Sequence, residues 1–600
     1  MLRKILLPSI LGILGYGFWV SPDFKEIAAG VSIFLFGMLF LEEGFKAFTG
    51  GMLEKLLQKT TNKTWKSLLF GIVSTTIMQS SSLVSVITIS FISAGLVTLV
   101  AGIGIIFGAN IGTTTGAWLV AAFGLKVKIS AYAMPMLVFG IVLSFQKSKY
   151  LKGFGSVLAG LGFLFLGIHY MKEGFEAFKD TFDLAALAVE GYPGLFLFAG
   201  IGVAATVIMQ SSHATLVLIL TALAASQITY ENALALAIGA NVGTTITAII
   251  GSLSANVQGK RLAGAHLIFN SVTGIIAIVF IGQFVWAVDA ISNRVGIAAD
   301  NYTMKLAVFH TLFNLVGVIV MVPLIHRLAD SLFKVFPEKA KDLAQPLYLS
   351  EAAIEFPETV LKALKKEVWH LFDSAFEIMA HGLNLHRRQI LKSADLQKTI
   401  DEDREIHELD IDEVYERKVK VLYSAIIDFI SNAQAQMPSI YAEEMFRLRK
   451  ASAEIVECVK HVKHLRKNAT RYMVSDNEHI REEYNRLRYQ VSMILREIYR
   501  LRDEGDYDHA LGMLELDELK AEIQLEHRQL DERVTRILRD DQITAMMATS
   551  LLNDFNYVDE TSRQLLDTAQ ALLVSHSDLV AEAAREVVLD KDEIEQASAA

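Results

Sequence analysis

The sequence predicts an all-α chain: a polytopic membrane protein built from two inverted repeats that contain re-entrant or broken helices, followed by a cytoplasmic helical bundle. Three observations carry this. The chain of 600 residues is 52% hydrophobic, yet its charged residues crowd into roughly the last 240 positions, so the front reads as membrane and the back as soluble. A polar hexapeptide, Ile77-Met78-Gln79-Ser80-Ser81-Ser82, returns as Ile208-Met209-Gln210-Ser211-Ser212-His213. A second piece, Gly108-Ala109-Asn110-Ile111-Gly112-Thr113-Thr114, returns as Gly239-Ala240-Asn241-Val242-Gly243-Thr244-Thr245, and both pairs are offset by 131 positions.

Upstream, Glu43-Gly44-Phe45-Lys46-Ala47-Phe48 matches Glu173-Gly174-Phe175-Glu176-Ala177-Phe178 at an offset of 130, which makes the copied unit longer than its polar motifs. The repeats run over about 27–146 and 151–255, and further spans over 262–325 complete a membrane domain at 1–335. Apolar segments fall near 5–20, 27–41, 67–95, 97–123, 129–146, 151–170, 194–225, 232–253, 262–284 and 304–325, several of them long enough for a hydrocarbon core of about 30 Å. Arg3-Lys4 and the apolar run to Val20 have no clear small-x-small cleavage site and read as the first span.

The loops set the orientation through their Lys and Arg content. Lys46, Lys55, Lys59, Lys63 and Lys66 place the loop after the second segment inside. Its copy carries Lys172 and Lys179 against Glu173, Glu176, Asp180, Asp183 and Glu190 and reads as external, so the repeats face opposite ways. Lys147, Lys149 and Lys152, then Lys260 and Arg261, then His326, Arg327 and Lys334 mark further inside loops. For these to hold together, 67–95 with 97–123 must make one net crossing, and so must 194–225 with 232–253. One member of each pair then enters and leaves on the same side. Lys126 and Lys128 fall outside in this scheme, against the rule.

Pro337, Pro346 and Pro357 fall in a polar stretch, 336–358, that reads as a linker. From Val360 the apolar spacing of Leu361, Leu364, Val368, Leu371, Ala375 and Ile378 is that of an amphipathic helix, and similar periodicity recurs to 573. Region 359–600 is therefore a helical domain, cytoplasmic because it follows the last inside loop. The formal charge of −10 belongs mainly to this half and gives no support to nucleic-acid binding. The single cysteine, Cys458, can form no internal disulfide, and no cysteine-based metal site exists. Glycine phosphate loops, His-Glu-x-x-His and nucleophile elbows are missing, so the chain is not expected to be an enzyme and needs no cofactor.

Polar clusters inside membrane-length apolar runs are costly, and in a duplicated unit they point to a transporter site between the repeats. A divalent anion crossing a membrane needs hydrogen-bond donors without a charge large enough to trap it. Half-helix N-termini and the hydroxyls of Ser80, Ser81, Ser82, Ser211 and Ser212 supply such donors, with Gln79 and Gln210 able to donate and accept. Sodium wants hard oxygens, which Asn110, Thr113, Thr114, Asn241, Thr244 and Thr245 carry beside glycines that let the backbone leave helical geometry. Isolated Ser, Thr and Gly in membrane helices are packing residues. Two matched clusters at one fixed offset favour a site instead. His266 with Asn270 and His310 with Asn314 repeat a His-x-x-Phe-Asn pattern that reads as interhelical hydrogen bonding before pathway lining or a gate. Glu408 and Asp412 share a helix face, which suits a solvated surface better than a metal site.

Two Gln-Ser-Ser-Ser-type motifs in an inverted duplication, each followed by Gly-Ala-Asn-x-Gly-Thr-Thr, resemble the type II sodium/phosphate cotransporter family over roughly 27–325. The resemblance implies sodium-coupled movement of inorganic phosphate across the inner membrane of a prokaryote. It places substrate on Gln79, Ser80, Ser81, Ser82, Gln210, Ser211, Ser212 and, here, His213, with sodium as coupling ion at the Asn and Thr positions. The helical C-terminal region is similar to PhoU-like regulatory domains that follow this membrane domain in bacterial members; of the Glu/Asp-x-x-x-Asp metal motifs of PhoU only Glu408 and Asp412 fit. A homodimer in the lipid bilayer is a candidate assembly. His213 departs from the pattern, since a titratable imidazole stands where serine is expected, and predicts altered pH dependence, substrate species or coupling ion. The alternatives are a phosphate exporter, a transporter of another small oxyanion or organic acid, or a phosphate-responsive sensor that does not transport.

Overall fold

The structure, a computed structural model, describes residues 11–12, 14–49, 63–124, 131–181, 189, 191–253, 255–337, 345–354, 356–407, 410–503 and 509–573. Lys55, Lys59, Lys126, Lys128, Asp183, Glu190, Glu408, most of the expected first span and part of the 336–358 linker lie outside the described residues, as do the side chains of Lys46, Lys149, Lys179 and Asp180. All regular structure among the described residues is helical, and the chain divides into two compact units, Met1–Glu338 and Lys339–Ala600.

Among its described residues, the first unit has seven helical stretches long and apolar enough to cross a membrane. Helix α1 (Pro22–Thr49) begins the first repeat. It is followed by α2 (Thr64–Met78), α3 (Ser81–Ser93), α4 (Leu99–Gly112), α5 (Thr114–Leu119) and α6 (Ala133–Ser144). The second repeat copies them as α7 (Lys149–Thr181), α8 (Gly191–Met209), α9 (Ser212–Ala224), α10 (Tyr230–Gly243), α11 (Thr245–Ser252) and α12 (Val257–Val279). Helices α13 (Ile281–Arg294), α14 (Tyr302–Met321) and α15 (Ile325–Val335) close the unit.

Close backbone approach organises the packing. Gly30, Gly37 and Gly44 on α1 meet Gly167, Gly160 and Gly153 on α7, in that order, so the two equivalent helices run antiparallel. A Cβ at Gly37 would lie 2.8 Å from the Gly160 carbonyl, and one at Gly160 equally close to the Gly37 carbonyl. Only glycine lets two helices approach to that distance. Within the first repeat, Gly104 faces Ser67, Gly108 faces Leu68 and Gly112 faces Thr75, so α2 and α4 run parallel. Gly102 faces Ile92 and Thr88, so α3 runs against both. The second repeat does the same: Gly239 meets Ala199 and Gly243 meets Thr206, making α8 parallel to α10. The apolar runs 67–95 and 194–225 are therefore each two helices that reverse direction at Gln79 and Gln210.

Three expectations change. The run 129–146 contains a helix of 12 residues, α6, too short to cross a full hydrocarbon core at 1.5 Å per residue. The last apolar run does not stop at 325, because α14 passes through a short 3-10 turn at Val322–Leu324 into α15. Arg261, 1% exposed, donates from Nε and Nη2 to the Phe336 carbonyl at 3.0 and 2.6 Å and so fastens the end of α15 to α12. Finally, α13 was not marked by the apolar pattern, since its polar and apolar residues alternate by face.

The second unit is a helical bundle of α16 (Pro357–Gly382), α17 (Arg387–Lys392), α18 (Leu396–Glu402), α19 (Lys420–Gln434), α20 (Ala442–Met473), α21 (Glu478–Asp503), α22 (His509–Arg539) and α23 (Ala545–Leu573). The predicted stripe of α16 is buried: Val360, Leu364, Val368, Leu371 and Ala375 are 0% exposed, packed in one core with Ile455, Val491, Leu551 and Leu565. The stretch read as linker is pinned at its end, because the Leu347 and Tyr348 amides donate to the buried Glu367 carboxylate at 3.0 and 2.7 Å. Asp412 is ion-paired with Lys463. Arg488 is 0% exposed and donates to the carbonyls of Leu383, Asn384 and Ile400, tying the end of α16 and the end of α18 to α21. Burial pushes its guanidinium down to about 10, above physiological pH, so it stays charged.

Two outcomes follow for stability. Arg488→Met leaves three buried carbonyls unpaired and should cost roughly 3 kcal/mol, read as a lower thermal midpoint of the second unit. Gly160→Leu should abolish monodisperse folded protein in detergent, whereas Gly200→Leu, where nothing lies within 4 Å, should be tolerated.

Candidate functional site

The chain reverses at Gln79 and Gln210 because both residues adopt the left-handed conformation, φ 51° and 53°. Glycine is the usual residue there, and a glutamine costs roughly 1 kcal/mol in strain. The conformation ends α2 and α8 and lets the next residue start a new helix. Ser80 and Ser211 are the caps: the Ser80 hydroxyl accepts from the Leu83 amide at 3.2 Å, and the Ser211 hydroxyl from the Ala214 amide at 3.1 Å. Each cap satisfies one first-turn amide. The amides of Ser81, Ser82, Ser212 and His213 are left without intrahelical partners.

Both helix starts open onto one cavity of about 330 Å³, lined by Gln79, Ser80, Ser81, Ser82, Thr113, Gln210, Ser211, Ser212 and His213 with Leu35, Met38, Leu39, Glu42 and Met209. All eight residues predicted to hold substrate are thus brought together from positions 131 apart. Among the six predicted sodium-side residues, only Thr113 lines the cavity. Asn110, Thr114, Thr244 and Thr245 turn their side chains back onto their own helices, bonding the carbonyls of Ile106, Ile111, Ala240 and Val242. Asn241 instead enters a buried network with Asn270, Asn314 and His310. That network links three helices through both His-x-x-Phe-Asn motifs, as the interhelical reading of these motifs expects. Glu42 and Met38 were not foreseen. The signal available was a carboxylate at the edge of an apolar helix, and it acquires meaning only once α1 is seen against the two motifs.

The repeats cross over at the cavity. Thr247 on α11 donates to the Ser82 hydroxyl at 3.2 Å, joining the second repeat to the first. The equivalent pair is His213 and Gly116, each 131 positions from its counterpart. A Cβ at Gly116 would lie 2.5 Å from His213 Cε1 and 2.6 Å from Nε2. The bulk gained at 213 is therefore offset by bulk lost at 116. The imidazole reaches across so that Nδ1 lies 3.5 Å from the Gln79 carbonyl, with the Phe34 ring edge-on at 5.7 Å. Gln79 is held in turn, its amide nitrogen donating to the Thr76 carbonyl at 2.6 Å and the Thr115 hydroxyl at 3.1 Å. Gln210 has an isoleucine, Ile246, where Gln79 has Thr115, and is exposed to the cavity.

Such an arrangement suits a small oxyanion. Two helix starts present amides and partial positive charge, and serine hydroxyls add donors, with no lysine or arginine in the lining. The Glu42 carboxylate in the same wall adds negative charge, which an anion tolerates when a cation accompanies it.

Residues 33–173 and 195–322 match the family model described as Na+/Pi-cotransporter. The chain is 26% identical over 364 residues to the protein of Escherichia coli (strain K12) named "Putative inorganic phosphate export protein YjbB", covering 60% of this chain and 64% of that one. The Salmonella typhimurium protein of the same name is 26% identical over 441 residues, 72% of this chain and 74% of that one. "Uncharacterized protein YqeW" of Bacillus subtilis (strain 168) is 28% identical over 303 residues, half of this chain and 94% of its own length. No solved structure matches the chain.

The size exchange makes a double-mutant prediction. Gly116→Thr should abolish activity or folding through collision with the imidazole, His213→Ser should leave a cavity-lining gap, and the double variant should recover at least half of the folded yield. A double variant no better than Gly116→Thr would show that the two positions are independent.

Proposed function

We propose that the protein is a sodium-coupled secondary transporter of inorganic phosphate in the bacterial inner membrane, working by alternating access. The observation that carries the reading is the meeting of two capped helix starts, one from each repeat, at a single cavity in a Na+/Pi-cotransporter family domain. The reversals at Gln79 and Gln210 act as re-entrant hairpins, entering from opposite faces, and the antiparallel α1 and α7 supply the axis of the inverted repeat. Phosphate is bound by the amides and hydroxyls of Ser80, Ser81, Ser82, Ser211 and Ser212 with the carboxamides of Gln79 and Gln210. Sodium offsets the charge that the anion and Glu42 bring together.

The names of the enterobacterial relatives favour export as the direction of net flux. Direction follows the gradients, since a secondary transporter is reversible. The C-terminal bundle is read as a PhoU-like cytoplasmic domain that tunes transport to internal phosphate. Another small oxyanion is the alternative substrate, and His213 is the residue that would select it.

Radiolabelled phosphate flux in proteoliposomes, with sodium or potassium gradients of either direction, tests the reading. Sodium-driven flux should appear in the wild type and fall at least tenfold in both Gln79→Ala and Gln210→Ala. His213→Ser should change the ratio of phosphate flux to flux of other small oxyanions, since the imidazole borders the cavity. Phosphate binding without flux would favour a sensor, and flux of another oxyanion in place of phosphate would change the substrate.

A further inference from the structure

The interface between the two repeats is symmetric, and the cavity beside it is not. Under the offset of 130 that relates α1 to α7, Gly30 corresponds to Gly160 and Gly37 to Gly167. The approach of Gly30 to Gly167 is therefore the same contact as that of Gly160 to Gly37. Likewise Gly44 meets Val157, while its counterpart Gly174 meets Ile27, the counterpart of Val157. The two helices pack about a local two-fold axis, each presenting the same face to the other.

The cavity takes Leu35, Met38, Leu39 and Glu42 from α1 and no residue from α7. It also takes Thr113 and Met209, whose counterparts Thr244 and Met78 are buried at 3% and 2% exposure. The Met38 sulfur lies 3.7 Å from the Ser211 hydroxyl at the cavity, whereas the equivalent Ile168 is buried. Related halves held in unlike conformations have a second state in which the conformations are exchanged. Inverted repeats use that exchange to open one site to either face of the membrane.

We infer that in the exchanged state Phe165, Ile168, His169 and Lys172 of α7 replace the α1 wall, and that Lys172 with His169 makes this second mouth an entry for the phosphate anion. By the same offset they are the counterparts of Leu35, Met38, Leu39 and Glu42, so the two mouths differ in the sign of their charge. Glu42 and Lys172 each stand near the C-terminal end of their helix, and because α1 and α7 are antiparallel these are opposite ends of the pair. In the present state Lys172 Nζ lies 3.7 Å from Glu176 and His169 Nε2 lies 3.1 Å from Glu173, each one turn further along. Both pairs are exposed, and exposed pairs hold weakly, so the two groups are free to exchange a carboxylate for an arriving phosphate. Glu173 corresponds to Glu43, which does not line the cavity, so it stays outside the second wall as well. A cation at one mouth concentrates the anion there, and the Glu42 carboxylate at the other concentrates the accompanying cation.

The exchange of states rests on the transporter reading. Its test uses the full-length protein in proteoliposomes, where Cys458 is buried and one cysteine added by Leu39→Cys or His169→Cys can be labelled selectively. A membrane-impermeant thiol reagent, applied from each face in turn, should reach position 39 from one face and position 169 from the opposite one. Sodium with phosphate should slow both reactions at least threefold. Labelling at 169 that phosphate leaves unchanged, while it slows labelling at 39, would overturn the second wall. Lys172→Gln should raise the half-saturating phosphate concentration at least fivefold from the face that reaches 169 and not from the other, and Lys172→Arg should restore it. Wild-type half-saturation in Lys172→Gln on both faces, or an equal rise on both, would overturn the anion entry, and persisting sodium-driven flux would leave the transporter reading standing. A wild type without phosphate flux, unprotected by phosphate at either position, would remove both.

Discussion

A helix that ends inside hydrocarbon strands its last carbonyls and the next helix's first amides, and the membrane unit is arranged around that constraint. Left-handed glutamines let two helices stop at depth, and capping serines let two others begin there at once. The remaining first-turn amides have no apolar surroundings to tolerate them, so they must face a polar cavity. The same economy explains the seams: glycines on α1 and α7 bring the repeats close enough for two short-range hairpins to share one cavity.

Duplication supplied two of everything, and divergence then assigned different work to each copy. Serine facing threonine at 82 and 247 became histidine facing glycine at 213 and 116, with total bulk roughly conserved across the pair. Gln79 is held by a threonine and approached by the imidazole, while Gln210 is exposed. Asn110 serves its own helix and Asn241 serves two others. The cavity therefore lies between unlike halves, with Gln79 held by hydrogen bonds on one side and Gln210 exposed on the other.

The second unit obeys ordinary soluble rules. Its core is a continuous apolar cluster, and two of its buried charged residues hold backbone groups at the ends of helices. Glu367 holds two amides at the entry to α16, and Arg488 holds three carbonyls near the exit of α16 and the end of α18. Both are hydrogen bonds of a charged side chain to backbone, stronger than neutral ones, and they fix the ends of a helix that carries much of the core.

The sequence by itself determined the helical class, the duplication, the two polar breaks and the eight residues that meet at the cavity. Those features are local or periodic: an offset of 131 is visible without coordinates, and an amphipathic stripe such as that of α16 needs only its own spacing. The tertiary structure alone decided that α6 is short, that Glu42 joins the wall, that Gly116 makes room for His213, and that only Thr113 of the six expected sodium-side residues reaches the cavity. Each of these depends on which face of one helix meets a helix far away in the chain. Asn110 and Asn241 sit in nearly identical sequence, yet Asn110 bonds the Ile106 carbonyl of its own helix while Asn241 meets Asn270 and Asn314 of two others. Side chains in a membrane interior go to whatever polar partner the neighbouring helix offers, and sequence spacing within one helix does not name that neighbour.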